Sequence, residues 1–400
     1  MNGTTNPEIL MSLPEPSPFP LVGLKAVTNA QHEWVALAFD ITATPDDALH
    51  ALQTVFGYPD MLAALAPLDC IVAAPDLAVT DPAQLRSLPS SSVMFRVPLS
   101  ACTDAGRQKK CKQLAEQGYR LLVEGEGGIH AGQAGIRSMA FDCSEKLPSE
   151  LAMLTMSGPH LALKVDTQVR RDAAKAAGLT LFCGDYARHP DPDAAPADGT
   201  SRKRLLALLG LLARDADSRE LEILMKQDPA LSYHLLKVVN SAAFALSSPI
   251  HSFGQAINVL GRRQLQRWLQ LLLYARQQDD GGANPLLPLA AVRAAQMEAL
   301  VKLRGGDRDQ QDMAFVTGVF SLLDVLLGMP MTEIVSALSL DLDVVMALLD
   351  RAGPFGELLK VVEQDRPDSS ALHDLELDHE TWWRSLLQAY HWAIQVSRNL

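Results

Sequence analysis

The sequence predicts two folded halves of different class, an α/β unit followed by an all-α unit, and three observations predict them. Short apolar runs of β character alternate with helical segments over roughly the first 190 of the 400 residues. A stretch rich in Pro, Asp, Ala and Gly, ARHPDPDAAPADGTSRKR at 187–204, then carries no apolar periodicity and reads as an interdomain linker. Beyond it helical periodicity dominates. The predicted units are residues 18–190, a linker at 191–203, and residues 204–400.

In the first unit the β-type runs are WVALAFDI (34–41), DCIVAA (69–74), SVMFRV (92–97), YRLLVE (119–124), SMAFD (138–142), LALKV (161–165) and LTLFC (179–183). Between several of them lie helix-like segments, DDALHALQTVFG, CTDAGRQKKCKQLAEQG and TQVRRDAAKAAG, the last two ending in the Gly that favours a helix C-terminus. Near-continuous apolar strands alternating with helices indicate a parallel sheet covered by helices, and seven or so repeats indicate a barrel. Such a barrel ordinarily takes about 250 residues, so some helices or turns should be trimmed.

In the second unit the helical segments run from KRLLALLGLLARD through RRQLQRWLQLLLYARQQ, LAAVRAAQMEALVKLR, MAFVTGVFSLLDVLLG, MTEIVSAL and DLDVVMALLDRA to FGELLKVVEQ, separated by Pro, Gly or Asp breaks. No fixed-period repeat suggests a solenoid. An all-α bundle is expected.

Composition narrows the function. Hydrophobic residues make up 48% and charged residues 20%, the proportions of a folded chain. No apolar run reaches the roughly 18 residues that span a bilayer, and the N-terminus lacks the basic start and apolar core of a secretion signal. Cytoplasmic location without membrane insertion is expected. The net charge of −12 repels phosphate backbones, so nucleic acid is not an expected partner. Cys70, Cys102, Cys111, Cys143 and Cys183 form no CxxC pair and are expected to be buried free thiols.

The stretch DPALSYHLLKVVNSAAFALSSPIHSFGQAINVLGRRQLQRWLQLLL (228–273) resembles the HDOD family, helical domains related to HD phosphohydrolases that lack their metal ligands. The resemblance rests on Asp228-Pro229 opening a helix, the Asn240-Ser241 break, the segment Ile257 to Gly261, and Arg263. Physically these motifs read as structural. Asp228 can cap a helix with Pro229 at its first position, and Asn240 and Ser241 can bond nearby backbone or another helix. Gly261 reads as the stop before a helix starting at Arg262. An HD hydrolase needs separated His and Asp ligands on converging helices; this half offers only His234 and His251 in the corresponding region. No metal site is expected there.

The first half resembles, more faintly, the EAL domains, TIM-like barrel phosphodiesterases that cleave cyclic di-GMP, over roughly 18–190. PLVGLKAVTNAQHEWVALAFD, LAEQGYRLLVEGEGG and LALKVDTQVRRDAAKAAGLTLFCGDYARHP carry the resemblance. Catalysis in that family needs carboxylates and an amide at strand ends to hold two divalent cations, plus a lysine near the attacking water. Carried over position by position, the ligand glutamate of the signature tripeptide falls on Val35, the asparagine near Val72 and the third-strand glutamate on Arg96. The paired aspartates fall on Glu124 and Gly125, the lysine on Ala140, the next glutamate on Leu163 and the final glutamine on Cys183. Only Glu124 keeps a ligand type, with Asp142 and Asp166 as acidic residues nearby.

The resemblance therefore implies a degenerate EAL-type barrel joined to an HDOD bundle, an arrangement found in bacterial signalling proteins connected with cyclic di-GMP. No catalytic, cofactor or metal residue is assigned, and the chain is not expected to be an enzyme. The leading expectation is action through contacts with an unidentified signalling protein. The alternative is a barrel that binds cyclic di-GMP without hydrolysis, its phosphates met by Arg96, Arg120 or Arg188; phosphodiesterase activity is the least favoured reading. Exposed apolar surface on the bundle, or a groove between the halves, is the expected contact surface.

Near the end, ALHDLELDHE (371–380) spells His373-Asp374 with Asp378, His379 and Glu380 behind it. Two histidines six apart match neither i, i+4 metal pairing nor an HD site, so the stretch reads as a helix entry. Asp378 or Thr381 should cap the terminal helix, with Trp383, Leu387, Tyr390 and Ile394 docking one face on the bundle.

Overall fold

In the computed structural model of the chain, residues 19–191, 261–272, 284–338 and 340–399 are described, with a few isolated positions between 207 and 274. Asp228, Pro229, His234, Ser241, His251 and Ile257 lie outside the described residues, as does most of the expected linker.

The first half closes into an eight-stranded barrel in sequential order. Strand β1 (Val22–Thr28) runs antiparallel to both neighbours, β2 (Trp34–Ile41) and the last strand. From β2 onward the strands are parallel: β3 (Asp69–Ala73), β4 (Val93–Pro98), β5 (Arg120–Glu124), β6 (Ser138–Asp142), β7 (Leu161–Leu163) and β8 (Leu181–Cys183). Strand β1, absent from the expected strands, has no continuous apolar run because its inward positions carry Gly23 and Lys25. The expected trimming is present. Strands β7 and β8 are three residues each, and β3 and β4 are joined through a single 3-10 turn at Pro82–Ser87.

Helices cover the barrel: α1 (Ala48–Phe56), α2 (Met61–Leu65), α3 (Ser100–Thr103), α4 (Ala105–Glu116), α5 (Gly128–Gln133), α6 (Glu150–Thr155) and α7 (Gln168–Ala176). The predicted helix starting at Cys102 is divided, because Asp104 takes extended backbone and its side chain accepts from Arg107 N, starting a new helix. Alternation sorts the strand residues. Val27, Ala36, Ile71, Met94, Leu122, Ala140, Leu161 and Cys183 fill the barrel interior, while Val22, Leu37, Cys70, Phe95, Val123 and Phe182 face the helical shell. All five cysteines are buried and free.

In the second half α8 (Arg262–Leu272) begins one residue after Gly261, whose φ is 75°. Then follow α9 (Leu286–Leu303), α10 (Arg308–Phe320), α11 (Leu323–Leu327), α12 (Met331–Ser336), α13 (Leu342–Asp350), α14 (Gly353–Val362), α15 (Ser369–Asp374) and α16 (His379–Asn399). Asn240 has a structural role: its amide donates to Ile250 O at 2.7 Å and its carbonyl accepts from Ile250 N at 2.6 Å. The ion pairs of Arg263 and Arg267 with Glu298 and Asp312 join α8 to α9 and α10.

The terminal helix departs from expectation in what it docks on. Helix α16 packs along α9 of the bundle on one side and on β1 and α2 of the barrel on the other. Trp382 Nε1 donates to Val22 O at 2.9 Å and Tyr390 OH to Leu24 O at 2.9 Å, carbonyls of β1. Trp383, fully buried, sits in an aromatic cluster with Phe19, Phe39 and Tyr58. The two halves thus share a continuous apolar core. The stretch 371–380 behaves as a helix entry: Leu372, Leu375 and Leu377 are buried, and His373, Asp374 and Glu380 are exposed. Asp378 is the cap, its carboxylate accepting from Thr381 N at 2.6 Å. His379 Nδ1 faces Phe19 O at 2.9 Å, and its Nε2 faces Ser369 Oγ at 3.0 Å.

Candidate functional site: the barrel mouth and the segment that covers it

Ligands of parallel α/β barrels bind at the C-terminal ends of the strands, because that is where the loops converge. Inward alternation brings Lys25 of β1, Asp40 of β2, Arg96 of β4, Glu124 of β5 and Asp142 of β6 to that end. Asp185 joins them just after β8. Below this layer the interior is apolar, and Val35, Ala140, Leu163 and Cys183 are part of that packing. Burial pushes the Cys183 thiol up to about 12, so it stays protonated. Val72 does not belong to the mouth; it faces the helical shell.

Each mouth carboxylate has a cation of the same chain beside it. Arg96 Nη1 lies 3.7 Å from Glu124, and Lys164 Nζ 2.6 Å from Asp142. Asp185 pairs with Arg188 at 2.6 Å and with Lys25 at 3.3 Å. Burial opposes charge at Asp142 and Asp185, but the lysine and serine bonds hold Asp142 down to about 2, and Lys25 and Arg188 hold Asp185 below the usual range. Asp166 is engaged in a different way, accepting from Asp185 N at 3.1 Å. Among the described residues no three His, Cys, Asp or Glu side chains converge as a metal-holding group.

Of the three arginines considered for phosphate contact, Arg120 is not at the mouth. It starts β5 at the opposite end and makes a bidentate bond to Asp69 with both distances 2.6 Å. Arg96 and Arg188 are at the mouth. Arg96 Nε is buried and has no hydrogen-bond partner. The cation that sequence reasoning missed is Lys25, hidden in a strand that was itself missed.

The segment 363–368, between α14 and α15, lies over the β1–β2 corner of this mouth. Asp365 places its carboxylate 2.6 Å from Lys25 Nζ. Arg366 pairs with Asp40 at 3.2 Å and donates to Thr42 Oγ1 at 2.6 Å. The approach is close enough to require glycine in β1: a Cβ at Gly23 would stand 2.6 Å from Arg366 Cβ and 2.6 Å from Asp365 O. Burial works against the Lys25 charge, and Asp365 and Asp185 outweigh it, raising its pKa.

A second concavity of about 480 Å³ lies at the other end of the barrel, between the halves. Trp34, Pro67 and Leu68 of the barrel face Leu287, Ile394 and Arg398 of the helical half across it. His32 at its rim accepts or donates with Tyr186 OH at 3.2 Å, and burial together with Arg171 lowers its pKa to about 4. It is a groove between the halves.

The HDOD domain family matches residues 202–318. The uncharacterized protein YuxH of Bacillus subtilis is 26% identical over 303 residues, covering 71% of this chain and 74% of the relative. The cyclic di-GMP phosphodiesterase CdgJ of Vibrio cholerae is 31% identical over 246 residues, covering 60% of this chain and 56% of CdgJ, so the chain spans little more than half of that relative. A solved structure of a standalone EAL protein from Vibrio cholerae O395 with bound c-di-GMP is similar over 43% of this chain and 92% of its own, with 13% identity and a TM-score of 0.31. Among the described residues no helix is long and apolar enough to cross a membrane.

Proposed function

We propose, for a chain that carries an HDOD domain behind an EAL-like barrel, that it is a non-catalytic signal-transduction protein connected with cyclic di-GMP and acting through protein contacts. The connection with cyclic di-GMP rests on CdgJ, a relative named for hydrolysing it. The departure from hydrolysis rests on the mouth of this barrel. A two-metal centre needs several carboxylates that are free to share cations. Here Glu124, Asp142 and Asp185 are each neutralised by a basic side chain of the same chain. Ala140, Leu163 and Cys183 supply interior packing where ligands would be needed, and Val35 lies at the far end of the barrel, on the groove between the halves.

The test is to incubate the purified chain with cyclic di-GMP and Mg²⁺ or Mn²⁺ and to measure its metal content. The expected outcome is no linear or cleaved dinucleotide and no stoichiometric metal; turnover, or one manganese or iron per chain, would overturn the reading. A pull-down from the native organism then identifies the partner.

A second reading, a receptor that binds cyclic di-GMP without cutting it, is favoured by one observation. Lys25, Arg96 and Arg188 cluster around the mouth, and cations of this kind can hold phosphodiester oxygens without a metal. Calorimetry decides it: absence of heat at high micromolar nucleotide sinks the receptor.

A further inference from the structure

The segment 363–368 has two charged anchors only two residues apart, and they grip different halves of the molecule. Glu363 belongs to the bundle. It sits 3.3 Å from Arg293 Nη1 and 2.8 Å from Arg351 Nη2, and Arg351 Nε donates to its other oxygen at 3.0 Å. Arg293 is buried in α9, also bonded to Ser321 Oγ at 2.9 Å, so Glu363 is its charge partner in the core of the bundle. Asp365 belongs to the mouth, on Lys25, with Arg366 beside it on Asp40 and Thr42. Between and after them the chain is short and held, with Pro367 buried. A buried arginine that loses its carboxylate is strongly disfavoured, whereas the pairs at the mouth are partly solvated and exchange more readily.

We propose that residues 363–368 form a latch: Asp365 occupies in cis the anion position of Lys25 in the barrel mouth, and an anionic ligand that takes Lys25 releases the segment and loosens Glu363 from Arg293 and Arg351. The mouth, which lacks a ligand set for catalysis, then serves as the input of a switch whose output is the packing of α9 and α14. A phosphodiester is the ligand class that suits Lys25 with Arg96 and Arg188, and for that identity alone the proposal rests on the receptor reading. The coupling itself follows from the spacing. Two residues span at most about 7 Å, so a backbone displacement that lifts Asp365 out of the mouth is passed directly to Glu363.

The full chain tests this in two arms. In the first, without ligand, Lys25 is labelled by a small amine-reactive reagent and read by mass spectrometry, with Lys164, which pairs with Asp142 away from Asp365, as internal reference. Asp365→Asn, nearly isosteric, is expected to raise Lys25 labelling about five-fold against Lys164, the size of losing one partly exposed ion pair, and to speed amide exchange in 286–303. Glu363→Gln is expected to do the same at both ends. If each substitution changes only its own end, the latch is overturned. In the second arm cyclic di-GMP is titrated, with inorganic phosphate as the non-specific anion. Asp365→Asn should bind the dinucleotide about five-fold tighter than the parent, and Lys25→Met should abolish the gain. Coupled ends without dinucleotide binding by any variant would support the latch and overturn the receptor reading; equal response to phosphate and dinucleotide would overturn the phosphodiester assignment.

Discussion

The seam along β1 and the mouth at the strand ends are built on the same strand with opposite chemistry. On the outer side of β1, Val22 and Leu24 face Trp382, Trp383 and Tyr390; Trp382 Nε1 and Tyr390 OH donate to backbone carbonyls of the strand, and Trp383 Nε1 is buried without a hydrogen-bond partner. On its inner side Gly23 and Lys25 meet Asp365, Arg366 and Asp185 in pairs that are 27% or more exposed at their side chains. The difference teaches where each function of the strand resides. Stability comes from the buried aromatic face, because area removed from water and tight packing do not depend on which anion is present. The charged face contributes little net stability, and for that reason it can be rearranged by a competing anion without unfolding the protein.

The largest effect that would break this comparison is at the seam. Trp383→Ala empties the centre of the Phe19, Phe39 and Tyr58 cluster. It should destabilise the protein by about 3–5 kcal/mol in urea denaturation. Because the removed side chain bridges barrel and bundle, the barrel and the helical half should also stop unfolding in one transition. A loss below about 1 kcal/mol would mean that the halves hold together by other means.

Acid sharpens the contrast between the two ends of the barrel. At the mouth Asp142 is held near 2, so its pair with Lys164 survives to low pH. At the opposite end His32 is lowered to about 4 by burial and the neighbouring Arg171. His160, 4% exposed, is also lowered by burial; Met139 N donates to its Nδ1 at 3.2 Å, leaving Nε2 to donate to Met156 O. For both histidines the folded pKa lies below the unfolded value near 6.5, so the unfolded chain binds more protons and stability falls as pH drops below about 6.5. From pH 7 to pH 5 the His32 contribution should amount to about 1–2 kcal/mol, allowing for its partial exposure. Urea midpoints at the two pH values check it, and His32→Gln should remove part of the dependence.

Much of the architecture was legible in the sequence, and what was not had physical reasons. Alternation of apolar runs revealed seven strands because β2 to β8 each bury one face in the interior and the other under helices. The first strand was invisible because its inner face meets a charged segment some 340 residues later, and no local pattern records that a Gly and a Lys will be buried by it. The helix entry at 371–380 was readable from capping chemistry, and Asp378 is the cap. The docking partner of α16 was not, since periodicity shows that a helix has a buried face and not what covers it. Of the positions carried over by resemblance, Arg96, Ala140, Leu163 and Cys183 lie in or just under the mouth, whereas Val35 lies at the far end beside the groove, Val72 faces the shell and Arg120 the far end. The pairing of each surviving carboxylate with its own cation needed three dimensions.

The smallest effect is the most discriminating for the comparison. Glu124 is the one position that keeps a metal-ligand side chain, and it lies 3.7 Å from Arg96 with 43% of its side chain exposed. If the mouth is a solvated set of charge pairs, Glu124→Gln changes stability by no more than about 0.5 kcal/mol. If Glu124 instead belonged to a metal centre, the same change would abolish divalent-cation stabilisation, which appears as a thermal shift that depends on cation concentration. Melting curves of parent and Glu124→Gln with and without Mn²⁺ separate the two. The expected result is four coincident curves, because an arginine already fills the charge that the cation would bring.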